Sequence, residues 1–149
     1  MKTISISAVV LATATSILAA PNPMVPVLEP LQLTNLNAAI YSTSPPTTCF
    51  LSFAVKDPNT NTDTKCFGYW SIGMAGNKTY DCSDKAYQLH LPNGIYDIEN
   101  IDFGVSRADG SESGQSTVNG DLWKCEKQEY PMAQCNWDGV FSLDVAPST

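Results

Sequence analysis

Period-two alternation of apolar and polar side chains recurs along most of this chain and predicts a fold built from short β-strands. The clearest case follows Cys49, where Leu51, Phe53 and Val55 fall on one face and Ser52, Ala54 and Lys56 on the other. Asp57-Pro58-Asn59 ends the run, because proline lacks the amide hydrogen a ladder needs while Asp and Asn supply turn chemistry. A second β-like run passes through Cys66, Phe67, Tyr69, Trp70 and Ile72. Two strands joined by a polar reversal are therefore expected as the nucleus of the domain.

Upstream, Leu31, Leu33, Asn35 and Asn37 alternate against Gln32, Thr34, Leu36 and Ala38, a weaker strand signal that runs into Ile40 and Tyr41, and residues 42–48 read as a loop. Downstream, Tyr87, Leu89 and Leu91 share a face opposite Gln88 and His90, and Pro92-Asn93-Gly94 makes a turn. Residues 95–105 keep period two through Ile101, Phe103 and Val105, but Ile98 falls out of phase, so a β-bulge near Glu99-Asn100 is expected. A polar loop over 107–114 leads to a short strand at 116–118, ended by Asn119-Gly120-Asp121, a favourable hairpin turn. Leu122 and Trp123 lead into Cys125, and Phe141, Leu143 and Val145 form a closing strand. No window of a dozen residues sustains a 3.6 period, so at most one short helix is expected, near 83–86, and the class is all-β, barrel or sandwich.

The N-terminus breaks this pattern. Residues 1–19 combine Lys2, an uncharged apolar stretch from Ile4 to Leu18 and small residues at Ala19 and Ala20, which is the form of a secretory signal peptide and too short for a comfortable membrane span. Cleavage after Ala19 is preferred, since cutting after Ala20 would put Pro21 directly behind the scissile bond. Residues 20–30 hold Pro21, Pro23, Pro26 and Pro30 and read as an extended lead-in. The expected domain then occupies 31–149, with a secreted, extracellular location.

The full chain carries 8 basic and 15 acidic residues, a formal charge of −7. Loss of Lys2 with the signal makes the balance more negative, which argues against nucleic-acid and membrane-surface partners.

Five cysteines follow position 48, an odd number, so one thiol is free or one bridge is intermolecular. His90 is the only histidine, and its strand face sets it toward solvent, without a nucleophile motif around it. Asp97, Glu99 and Asp102 are the candidate acids for a glycosidase, with Asp97 and Glu99 about 6 to 7 Å apart if both lie on one strand face. Their other reading is a solvated acidic strand. The same acids, with Asp109, Ser111 and Glu112 beyond them, could hold calcium, although the EF-hand pattern is absent, and zinc fails on ligand count. No metal or cofactor is expected. Asn77-Lys78-Thr79 is an N-glycosylation sequon in a loop-like setting. Trp70 and Trp123 are expected in the core, and Trp137, in the turn-like segment Asn-Trp-Asp-Gly, is the candidate exposed anchor for a partner, with packing in the core as its favoured reading.

The segments FAVKDPNTNTDTKC, TYDCSDKAYQLHL, LWKCE, AQCNWDG and VFSLDV resemble, in cysteine placement and strand-turn order, the small secreted fungal proteins related to the major Alternaria alternata allergen. The resemblance spans about residues 31–145. It implies a compact β-barrel, extracellular and allergen-like, that acts as an effector toward plants, and it implies bridges Cys66–Cys82 and Cys125–Cys135. Some members of that family bind thaumatin-like defence proteins of the host. Cys49 is then left either to link two subunits in a disulfide-bonded homodimer or to stay a buried free thiol.

These readings converge on a secreted, single-domain, disulfide-braced antiparallel β-barrel or sandwich that binds a host target rather than catalysing a reaction. A small extracellular hydrolase and a cell-wall or matrix protein are the alternatives.

Overall fold

The computed structural model describes residues 27–41, 47–71 and 73–147. The expected signal peptide, most of the proline-rich lead-in and residues 42–46 of the expected loop lie outside these residues. Among the described residues ten strands run in chain order: β1 Leu31–Tyr41, β2 Thr48–Asp57, β3 Thr62–Ser71, β4 Lys78–Asp81, β5 Tyr87–Leu91, β6 Ile101–Arg107, β7 Ser113–Val118, β8 Trp123–Lys127, β9 Ala133–Trp137 and β10 Phe141–Leu143. All pairings are antiparallel.

They form two sheets. One is ordered β3-β2-β1-β9-β8, with β10 also paired to β1, and the other is the meander β4-β5-β6-β7. Long β1 serves two neighbours along one edge, with Leu31–Leu33 opposite β10 and Asn37–Ile40 opposite β9. The apolar inner faces meet as one core, with Phe53 of β2 and Phe103 of β6 at 5.6 Å between ring centroids and Phe103 to Phe141 at 5.7 Å. Gly68 of β3 permits this approach, because a Cβ there would stand 2.8 Å from Leu89.

The architecture is a sandwich, and the barrel implied by the family resemblance does not close. At the β3 edge, the Tyr80 hydroxyl donates to the Tyr69 carbonyl in place of a β3–β4 ladder. Joining the sheets at this edge are the Cys66–Cys82 bridge and the Ser83 amide donating to the Lys65 carbonyl at 2.7 Å. At the opposite side Ser113 and Ala146 form an isolated bridge.

Four local expectations change. Asn35 adopts a left-handed φ of 52°, and the β1–β2 register shifts between Thr34 and Asn37, so the inward set switches from Leu31 and Leu33 to Leu36 and Ala38. Asn tolerates that conformation, and the Asn37 side-chain amide donates to the Asn35 carbonyl at 3.0 Å. No bulge forms near Glu99-Asn100, because Asp97 folds the chain into a turn before β6 begins, accepting the Glu99 amide at 2.9 Å on its side chain and the Asn100 amide at 3.2 Å on its carbonyl. Residues 83–86 form a turn rather than a helix, with the Asp84 carboxylate accepting the Ala86 amide and Thr64 accepting the Asp84 amide. Asn119-Gly120-Asp121 joins no hairpin, since β7 and β8 belong to different sheets and the turn carries the chain across.

The two bridges do different work. Cys125 and Cys135 are directly opposed residues of β8 and β9, whereas Cys66–Cys82 ties one sheet to the other. The first closes only 10 residues in a hairpin that is already paired, so replacing both its cysteines by serine is expected to cost about 2 kcal/mol in chemical unfolding with an unchanged fold by circular dichroism. A loss of folded signal would show that β8 and β9 do not stand without it.

Candidate functional site

The outer face of the six-stranded sheet carries aromatic side chains where a soluble β-sheet ordinarily presents polar ones. Because Cys49, Leu51, Phe53 and Val55 point inward, their neighbours Thr48, Phe50 and Ser52 point outward, and the same alternation turns Phe67 and Tyr69 out from β3. Register aligns three rows across β1, β2 and β3: Asn37, Ser52 and Phe67; Ala39, Phe50 and Tyr69; Tyr41, Thr48 and Ser71. The small side chain of Ala39 beside Phe50 leaves a depression of about 550 Å³, and Tyr130 from the β8–β9 connection walls it. That connection is seated by the Met132 amide donating to the Ile40 carbonyl at 2.9 Å.

Ring contacts link these residues in sequence. Tyr130 lies 5.2 Å from Tyr41, Tyr41 lies 5.3 Å from Phe50, both edge-on, and Phe50 lies 5.4 Å from Phe67. Phe67 is 51% exposed and Tyr130 65%. Polar groups on the floor are already oriented: the Ser52 hydroxyl donates to Asn37 Oδ1 at 3.2 Å, and the Thr48 and Ser71 hydroxyls are 3.1 Å apart. The depression continues along the sheet into smaller ones of about 290 and 180 Å³, sharing first Asn37, Ser52 and Phe67 and then Ala54 and Lys65. The whole is an elongated trough, uncharged at its aromatic end.

A second cluster lies under the β2–β3 and β6–β7 turns. Asp57 is fully buried and accepts hydrogen bonds from Tyr87 at 2.6 Å, Thr60 at 2.7 Å and the Asn59 amide at 2.7 Å. Glu112, 3% exposed, faces it and accepts from the Asn59 side chain at 3.2 Å. Burial first, then the hydrogen bond and charge of Asp57, push the Glu112 carboxyl up to about 7. Burial alone would raise Asp57 as well, but the bonds from Tyr87, Thr60, Glu112 and Asn59 outweigh it and hold that carboxyl below its ordinary value. Glu112 Oε1 is buried without a hydrogen-bond partner, and an ionised carboxylate would leave that oxygen unsolvated, which adds to the preference for the protonated form. Arg107 stands 3.9 Å from Asp57, lies over the Tyr87 ring and donates to Asp109 at 3.2 Å. Enclosed on all sides, the pair braces the two turns. Asn59 extends the brace by exchanging hydrogen bonds with the backbone of Glu29.

The acids singled out for hydrolysis are divided. Asp97 and Glu99 line a depression beside Tyr96 and Glu126, at the Cys125 end of the molecule. Asp102, on β6, lines another, where its oxygens accept from Thr117 at 2.5 Å and Asn93 at 2.9 Å, and these bonds lower its carboxyl. Among the described residues no group of three His, Cys, Asp or Glu is placed to hold a metal ion. His90 is half-buried on the outer face of the four-stranded sheet rather than fully solvated, so burial depresses its pKa. Its Nε2 is 2.6 Å from Ser106 Oγ, a pairing the sequence spacing did not reveal, but Nδ1 faces the Thr79 hydroxyl at 3.0 Å where a catalytic triad has a carboxylate.

Trp137, the candidate anchor, is packed rather than fully exposed. It lies at the end of β9, half-buried, with its ring edge-on to Phe141 at 4.8 Å and its Nε1 enclosed. Trp70 and Trp123 are buried, and Trp123 Nε1 donates to the Ile98 carbonyl at 2.9 Å. The bridges Cys66–Cys82 and Cys125–Cys135 are both present. Cys49 is a free thiol, 4% exposed and directed inward from a strand flanked on both sides, and burial raises its pKa. An intersubunit bridge through it would require this part of the sheet to open. Asn77 is exposed in the turn before β4 with a φ of 60°, an accessible setting for the sequon.

No protein-family model, characterised protein or solved structure matches this chain.

Proposed function

We propose that this chain is a secreted, non-catalytic binding protein, effector-like and allergen-like in the manner of the fungal proteins it resembles, that docks an extracellular host target on the aromatic trough of its six-stranded sheet. The observation that carries the reading is the set of solvent-facing rings of Tyr41, Phe50, Phe67 and Tyr130 on a rigid sheet face, since aromatic side chains of this kind supply much of the energy at binding surfaces. Two disulfides fit an oxidising compartment and agree with secretion behind a leader at residues 1–19. The resemblance makes a thaumatin-like defence protein one target to try. A hydrolase built on Asp97, Glu99 and Asp102 is disfavoured by their division between two depressions.

The oxidised protein, immobilised and exposed to plant extracellular fluid, is expected to retain a specific host component that mass spectrometry or sugar analysis identifies. Phe67→Ala should reduce retention about tenfold, and Trp137→Ala should leave it intact. Equal retention by the Phe67 variant and the parent would remove the trough from the interface.

A further inference from the structure

We infer that the occupant of the trough is a neutral polysaccharide chain of the host wall, an assignment that rests on the binding reading above and specifies its ligand. Three features of the surface select this chemistry. Its length comes first: depressions of about 550, 290 and 180 Å³ share lining residues in series, so the site accepts an extended chain rather than one compact molecule. The composition is next. Aromatic rings packed edge-on or tilted against one another wall the larger end, among the amide of Asn37 and the hydroxyls of Ser52 and Thr48. A pyranose has that dual character, with C–H groups that settle on the electron-rich face of an aromatic ring and hydroxyls at its rim for hydrogen bonding. Charge is the third. Among the described residues no ionisable group other than phenols lines the aromatic end, and the smaller end offers Lys56 and Lys65 beside Asp63, in a protein of net charge −7. An uncharged chain meets no charge at the aromatic end, and an acidic one, despite the one lysine in excess at the smaller end, would face the acidic field of the whole molecule.

A protein partner fits less well. A standard interface engages about 20 to 30 residues on each side around an apolar centre. The largest depression is lined by eight residues, half of them polar or small.

The test is affinity electrophoresis of the oxidised mature protein in gels containing xyloglucan, mixed-linkage β-glucan or galactomannan, with polygalacturonate as the acidic contrast. At least one neutral polymer is expected to retard the parent while polygalacturonate does not. Phe67→Ala and Tyr130→Ala should each weaken that retardation about tenfold with an unchanged melting temperature, because both side chains are exposed. Free migration in every neutral polymer, retardation by polygalacturonate alone, or equal retardation of parent and variants would each overturn the assignment. Capture of a host protein through Phe67 with no polysaccharide retardation would overturn it while leaving the binding reading standing. Failure of both experiments would remove the two together.

Discussion

Replacing Glu112 by glutamine is expected to stabilise the protein by about 3 kcal/mol at pH 8 and to flatten its stability between pH 4.5 and 7. The folded carboxyl is raised from 4.5 to about 7 by burial and by Asp57, so the fold prefers the protonated form. Its contribution is fully present below pH 4.5 and is lost as pH rises through 7, at about 1.4 kcal/mol for each pH unit crossed between those two values. Asp57 acts in the opposite direction. Held below its ordinary value, it contributes above about pH 4 and loses that contribution on further acidification. For the pair, stability should therefore peak in mild acid and fall toward neutrality. Tyr87, Arg107 and Asp109 complete the surroundings, and Arg107 offsets only part of the cost of ionising Glu112. Glutamine mimics the protonated acid, keeping an acceptor for Asn59 without a charge beside Asp57. Urea unfolding of parent and variant at pH 5 and pH 8 checks this. A parent without a slope, or a variant with the parental slope, would show that Glu112 is not the group that titrates near neutrality.

Gly94→Ala is expected to destabilise the fold by about 3 kcal/mol. Gly94 turns the chain after β5 with a φ of 74°, and a Cβ there would stand 2.5 to 2.7 Å from three atoms of the Trp70 indole. Trp70 is fully buried and edge-on to Tyr96 at 5.4 Å, so its ring has nowhere to retreat. Left-handed strain accounts for about 1 to 2 kcal/mol of the loss and overpacking for about 1 to 3. Gly110→Ala separates the two contributions. Its φ is 73° and nothing lies within 4 Å, so it should lose only the strain share. Equal losses from the two variants in thermal unfolding would mean that Trp70 does not restrict position 94.

Much of the candidate site was written in the same alternation that defines the core. Once Leu51, Phe53 and Val55 point inward, Phe50 must point outward with Ser52, and Phe67 and Tyr69 must oppose Cys66 and Trp70. An aromatic residue on the polar phase of a strand is the signal for the trough, and the three tryptophans do not carry it. Tyr130 has no such signal. It belongs to a connection with no period, and the Met132–Ile40 hydrogen bond and the Tyr130–Tyr41 ring contact show that this connection returns to the wall of the sheet. Glu112 is equally hidden, because a glutamate in a Ser-, Gly- and Asp-rich loop reads as solvated until the β2–β3 turn is found above it.

By itself the sequence determined the class, most of the strands, the reversal at Asp57-Pro58-Asn59 and the inward sets of β2, β5 and β6, because side-chain alternation is a local consequence of the extended backbone. Tertiary structure alone decided the open sandwich in place of a barrel, the phase change at Asn35, the turn at Asp97, and the pairing of Asp57 with Glu112. Each of these depends on which distant backbone or side-chain group supplies a partner: Tyr80 for the carbonyl at the β3 edge, the neighbouring strands for the bulge in β1, and one buried acid for another. Contacts of that kind are set by the packing of the two sheets, and no local pattern along the chain records them.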